Sequence, residues 1–320
     1  MPQKKVDIFC VNTGSHILVE GGSTLAEIAI SLKDALGFEP ICARVNNKSE
    51  DLAYCVYSPK QVEFVGLSSP LGMRVYIRSL CMMLYRAAAH EIEGCNLKIE
   101  LSISRGYYCT LSCPSTDGNI EPAESLLSRL TERLHAMQQA DIPFVRHQQL
   151  TDEVKALFSR EGLEEKVTLL DTRPELYTAY YTLEDTADSY YGPLAPSTRF
   201  IRTFALHPYG EGFLLMGPDP ADLSRARDPQ PQPKLFKAFE DYLKFNKVIR
   251  VSSVGELNKV VLAHKTHDLI NVAEAMHEKY LGRISDEIAR RNREGSARVV
   301  LLAGPRRRVK QPPTSDSQSN

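Results

Sequence analysis

Between Val6 and Val65 the order of patterned segments leaves few folds open. Val6, Ile8 and Cys10 alternate with Asp7, Phe9 and Val11, and Asn12-Thr13-Gly14 separates this run from a second, "SHILVE". Alternation broken by a Gly-containing turn predicts a β-hairpin. Ser23 or Thr24 then offers a hydroxyl cap to a helix with Leu25, Ile28, Ala29 and Leu32 at helical spacing, and Gly37 ends it. Further strands are predicted at "ICARVNN", "AYCVY" and "VEFV", with Asn46-Asn47 as a turn beside a solvated Lys48. A hairpin, a crossing helix and more strands make an α+β unit.

That order is the order of a ubiquitin-like β-grasp, and "VEGGSTLAEIA", "ARVNNKSEDLAY" and "VEFV" resemble the TGS domain of threonyl-tRNA synthetases, Obg-type GTPases and stringent-response enzymes. The resemblance implies a TGS domain over residues 1–67 that contacts RNA or the ribosome or docks other domains, without catalysis.

Downstream, "YIRSLCMMLYRAAAHEIEG" has Leu80, Met83, Leu84, Ala87 and Ala88 on one helical face. Strands are predicted at "LKIELSI" and "GYYCTL", a short helix followed by a strand at "LFSREGLEEKVTLLD", and Gly/Pro-punctuated strands over "YYGPLAPSTRFIRTFALHPYGEGFLLMGP". This α+β order resembles the SAD-type editing domain of threonyl- and alanyl-tRNA synthetases, here over 68–222. That family places two histidines one helical turn apart, a cysteine and a third histidine around a Gly-Pro. The matching positions are Met82, Arg86, Tyr190 and Leu194. A thioether, a guanidinium, a phenol and an isobutyl group cannot assemble a metal or general-base site, so no metal and no catalytic residue is expected. His90 lacks a second donor nearby and reads as a surface or packed histidine. Tyr190, Tyr191 and Arg199 suit a pocket for a nucleoside or an RNA end, because aromatic faces and a guanidinium suit bases and phosphates; strand packing is the plainer reading.

Residues 223–297 read as a helical linker: a Pro-rich spacer, an amphipathic helix through Leu235, Phe236, Phe239 and Leu243, and a long helix through Leu269, Val272, Met276, Tyr280, Ile284 and Ile288 that stops near Gly295. "GELN", "LINVAEAMHEKYLGRISDEIA" and "VVLLAGP" are similar to the stretch before the phosphate-binding loop in bacterial uridine kinase-like nucleoside kinases. The resemblance implies a first P-loop strand over 298–305, with Gly304 and Pro305 as its remnant. In the intact family ATP and Mg²⁺ are the cofactors; none is expected in this chain. The match ends at Arg306. Loss of the first T from TCG-TCG-TCG-GGT-AAA-ACA-ACC turns Ser-Ser-Ser-Gly-Lys-Thr-Thr into the sequence of Arg306 to Pro312, so 306–320 is expected to be an unstructured, out-of-frame tail. Resequencing across Pro305 tests this; a natural basic tail is the other reading. Two functions follow from the resemblances: an inactive fragment of a nucleoside kinase, or a non-catalytic RNA-, tRNA- or nucleotide-binding protein.

Composition bounds both. The 320 residues carry a formal net charge of -1, so nucleic acid must be attracted by a local patch. No run approaches the ~18 apolar residues of a membrane span, so no membrane partner and a cytoplasmic location are expected. The seven cysteines show no CxxC pair and read as free, mostly core thiols.

Overall fold

A computed structural model describes residues 5–92, 94, 96–112, 119–120, 124–296 and 299–301. It is a mixed α+β structure whose packing divides the chain into two units, residues 1–258 and 259–320.

The first unit opens with β1 (Lys5–Cys10) and β2 (Ser15–Glu20), paired antiparallel from Lys5↔Glu20 to Cys10↔Ser15. Val6, Ile8 and Cys10 point into the core while Lys5 and Asp7 face water. Thr24 caps α1 (Leu25–Ser31) reciprocally: its hydroxyl accepts from the Glu27 N–H at 3.2 Å, and the Glu27 carboxylate accepts from the Thr24 N–H at 2.9 Å. A short α2 (Lys33–Leu36) ends at Gly37 with φ +67. β3 (Pro40–Val45) and β4 (Lys48–Glu50) form a hairpin through Asn46 and Asn47, both left-handed as a two-residue turn requires. With β5 (Lys60–Gly66) the sheet order is β2-β1-β5-β3-β4, and β1 and β5 run parallel at its centre.

"AYCVY" is not a strand. The carbonyls of Leu52 and Tyr54 accept from the N–H groups of Ala26 and Leu25, and Val56 exchanges backbone bonds with Gly22 and Ser23. Amides at a helix start have no partner inside the helix. This segment supplies it, which takes its backbone out of the sheet.

One face of the sheet buries Ile8 and Phe64 against Leu25 and Ile28 of α1. From the same sheet Ile41, Cys42 and Val65 join a second core, around α3 (Pro70–Glu91). Ser69 caps α3, accepting from the Gly72 N–H at 3.0 Å. A Cβ at Gly72 would stand 2.0 Å from the Gly66 carbonyl oxygen, so α3 is pressed against the end of β5 at a distance only glycine allows. Gly72→Ala is expected to lower stability by roughly 2–3 kcal/mol, because backbone must move on one side; a denaturant midpoint unchanged at constant slope would refute it.

The rest of the unit follows as β6 (Asn96–Ile103), β7 (Gly106–Ser112), β8 (Asn119–Ile120), α4 (Glu124–Ala140), β9 (Val145–Leu150), α5 (Thr151–Arg160), α6 (Glu164–Asp171), β10 (Tyr177–Leu183), β11 (Thr186–Asp188), β12 (Ala205–Tyr209), β13 (Gly212–Met216), β14 (Pro218–Asp219) and β15 (Asp222–Ala226). One sheet runs β12-β13-β7-β6 with β8 on β7, and a smaller one runs β11-β10-β9. The predicted strand in "EEKVTLLD" is α6. Val167 and Leu170, three apart, both pack toward Val154, Phe158 and Tyr180, a spacing that only a helix puts on one side. Residues 190–204 are loop and a 3-10 turn rather than strand, held by Ala195 N–H to the Ser79 hydroxyl and Thr198 N–H to the Ile142 carbonyl.

α7 (Pro233–Ile249) lays Phe236 and Phe239 edge-on to Tyr108, at 4.9 and 6.4 Å between ring centroids, while Leu235 faces water. α8 (Val254–Leu262) follows. In the second unit α9 (Thr266–Arg293) stops before Gly295, φ +71. The expected P-loop strand is not formed where it is described: Val299, Val300 and Leu301 are exposed and outside any strand. Gly304, Pro305 and the tail 306–320 lie outside the described residues. Cys10, Cys42, Cys81 and Cys109 are buried free thiols. Among the described residues no helix is long and apolar enough to cross a membrane.

Candidate nucleic-acid interface

The residues at the editing-site positions are built into the protein interior or paired. Met82 and Leu194 are completely buried in the core around α3. Arg86 lies between two acids, its Nε 3.2 Å from Glu184 Oε2 and 2.8 Å from Asp185 Oδ1. The Tyr190 hydroxyl is buried and has no hydrogen-bond partner among the described residues. Burial, with the Cys81 and Tyr85 groups nearby, pushes it well above the usual phenol range. His90 is exposed at the end of α3, 3.6 Å from Glu91. Among the described residues no three His, Cys, Asp or Glu side chains gather as a metal site.

Two side chains beside Tyr190 were not singled out by sequence reasoning. The Lys166 ammonium sits 5.4 Å from the Tyr190 ring centroid, touches the Asp188 carboxylate and donates to the Ser189 carbonyl at 3.2 Å. Burial pushes this amine down to about 8, and the Glu165 carboxylate works against that. Nothing local marks the pair, because Lys166 is on α6 and Asp188 on β11.

The pocket residues separate. Tyr190 lines a cavity of about 170 Å³ together with Lys48, Glu50, Asp51, Arg146 and Tyr181, so its walls come from β4 as well as the later sheet. Glu50 and Asp51 are buried; Asp51 accepts from the Tyr181 hydroxyl at 2.8 Å. Tyr191 points outward, 76% exposed, with the Arg173 guanidinium 5.8 Å from its ring centroid. Arg199 is not in that cavity. Its Nη1 donates to Glu39 at 2.8 Å, its Nε lies 3.5 Å from Asp141, and it stacks over Phe200.

The fold sets two pairs of arginines on this part of the structure. Arg202 shares Glu39 with Arg199, at 3.1 Å. Arg74 and Arg78 stand one turn apart on α3, close enough to repel. Tyr76, between them in sequence, bonds the Thr203 backbone through its hydroxyl, at 2.7 Å from the amide and 2.9 Å from the carbonyl. Arg78 donates to the carbonyls of Pro193 at 3.0 Å and Tyr191 at 3.3 Å, so it joins the α3 pair to the exposed tyrosine. Gly192 has φ +123, and a Cβ there would meet the Arg78 guanidinium at 3.0 Å, so this close approach needs glycine. Arg199 and Arg202, with Glu39 and Asp141 as their acids, make one cationic patch just before β3, and Arg74 with Arg78 makes another on α3 that reaches the outward-facing Tyr191. Guanidinium forks suit phosphates, and an exposed aromatic face suits a base.

No family model matches the chain. By sequence it is similar to threonine-tRNA ligases: 26% identical over 186 residues to that of Syntrophotalea carbinolica, 27% over 186 residues to that of Desulforamulus reducens, and 26% over 186 residues to threonine-tRNA ligase 1 of Bacillus subtilis. Each match covers 58% of this chain and 28% of the ligase, so the chain spans under a third of the length of these relatives. These relatives correct the expectation of a nucleoside kinase fragment. The matched stretch is ligase-like, and the residues on which a phosphate-binding loop rested lie outside the described structure.

Proposed function

We propose that this chain is a non-catalytic RNA-binding protein of the cytoplasm, with tRNA as the class of partner. It would use a TGS-type β-grasp domain (1–67) and an editing-type domain (68–222) whose hydrolytic set has been replaced by packing residues. The observation that carries the reading is two arginine pairs, Arg74 and Arg78 on α3 beside the exposed Tyr191, and Arg199 and Arg202 sharing Glu39. The similarity to threonine-tRNA ligases supports the choice of tRNA over other polyanions. Buried Met82 and Leu194 support the absence of hydrolysis, since neither presents a donor to a substrate.

Tyr191 gives the test. Stacking of one base on an aromatic ring is worth about 1–3 kcal/mol. Tyr191→Ala is therefore expected to weaken binding of a labelled tRNA by roughly 5- to 100-fold, and to matter little for a tRNA trimmed of its single-stranded 3′ end. Anisotropy titrations in matched salt measure both. Equal affinity for tRNA and duplex DNA, together with indifference to Tyr191→Ala, would overturn the proposal.

A further inference from the structure

Tyr191 turns its ring to solvent, and an exposed side chain ordinarily hops between rotamers. This one is held at both ends. Its carbonyl accepts from Arg78 Nη1 at 3.3 Å, which fixes the backbone. Its hydroxyl accepts from Arg173 Nη1 at 3.3 Å, and the Arg173 guanidinium lies over the ring, 5.8 Å from its centroid.

Arg173 is fixed in turn. Its amide donates to the Leu170 carbonyl at 3.2 Å, at the end of α6. Its Nε donates to Glu175 Oε2 at 3.0 Å while Nη2 meets Glu175 Oε1, a two-pronged pair. The Glu175 backbone is anchored as well, because its carbonyl accepts from the Thr151 hydroxyl at 2.6 Å. One side of the guanidinium fork is therefore taken by a carboxylate and the other reaches the phenol. The carboxylate cancels the positive charge locally, so Arg173 is a poor candidate for a phosphate contact of its own.

We infer that Arg173, set by Glu175, is the positioning residue of Tyr191: it fixes the ring for a single unpaired base, which stacks on the face that the guanidinium leaves open. The inference rests on the RNA-binding reading. Ordering a rotatable side chain on binding costs affinity, and a ring already ordered avoids that cost. A ring covered on one side takes one base on its free face.

The test is tRNA anisotropy on the full chain at several salt concentrations, with Arg173→Ala, Tyr191→Phe, Tyr191→Ala, and Arg173→Ala combined with each Tyr191 variant. Arg173→Ala is expected to weaken binding about 2- to 10-fold, and Tyr191→Phe, which removes only the hydroxyl bond, by no more than that. Arg173→Ala with Tyr191→Phe should be little weaker than Arg173→Ala alone, and Arg173→Ala should add nothing once Tyr191→Ala has removed the ring. The salt slope should stay that of the wild type, whereas loss of a phosphate contact would lower it by about 1. A general loosening of the fold would act with or without the ring, so the combined variant separates it from positioning. If Tyr191→Ala leaves binding unchanged, the RNA-binding site at Tyr191 falls and this inference falls with it. If Tyr191→Ala weakens binding but Arg173→Ala does not, acts equally without the ring, or lowers the slope by about 1, this inference alone is overturned.

Discussion

The double variant Arg74→Ala, Arg202→Ala is expected to bind tRNA about tenfold or more weakly and to lower the salt slope of binding by about 2, since each lost phosphate contact removes roughly one released counterion. The size of the effect follows from the rest of the protein. With a formal net charge of -1 there is no general attraction to a polyanion, so a local surface must supply nearly all of it. Arg74 is exposed, and removal of Arg202 leaves Glu39 held by Arg199 at 2.8 Å. Stability is therefore expected to change by no more than about 0.5 kcal/mol. Titrations at several salt concentrations give the slope directly. Weakened binding with an unaltered slope would mean that these arginines do not meet phosphates, and an unaltered affinity would move the interface elsewhere.

The parts of the fold readable in the sequence are those decided by near neighbours. The β1–β2 hairpin, the hydroxyl cap of α1 and the Asn46-Asn47 turn rest on contacts within a few residues, and the buried face of α3 was marked by its apolar spacing. Two misreadings have a common origin. "AYCVY" has strand-like composition, yet its carbonyls are taken by amides of α1 some thirty residues earlier. "EEKVTLLD" is short enough to fit either period, and its helix is fixed by packing on Phe158 and Tyr180. The apolar run from Val299 is a similar case, since a short apolar run alone cannot specify a strand. The candidate site was legible as residue types but not as places. Tyr190 and Arg199 are nine positions apart and sit in different surroundings, whereas Arg199 and Arg202 are brought together by Glu39, which lies some 160 residues earlier. The kinase reading had the same weakness, because it leaned on short runs near the end of the chain while the ligase-like similarity extends over 58% of it.

Leu194→His would return an imidazole to one of the four editing-type positions, and it is expected to cost about 3 kcal/mol rather than restore anything. Leu194 has no solvent exposure and packs in the core shared by α3, β7 and β13. The change removes a buried leucine, worth about 1.5–3 kcal/mol, and leaves a polar ring among apolar neighbours. For a chain of this size the expected fall in melting temperature is roughly 4–6 °C. Burial of the ring would hold its folded-state pKa below the unfolded value of about 6.5, so the unfolded chain binds the extra proton first. The deficit should then deepen as pH falls through that value and shrink above it. Leu194→Met, which conserves volume, should cost less than about 1.5 kcal/mol and show no such pH dependence. A histidine accepted at position 194 without loss of stability would mean that a hollow, polar site survives there. A strongly destabilised one would mean that neighbouring side chains fill the position, so that any polar site there would require repacking this core as well.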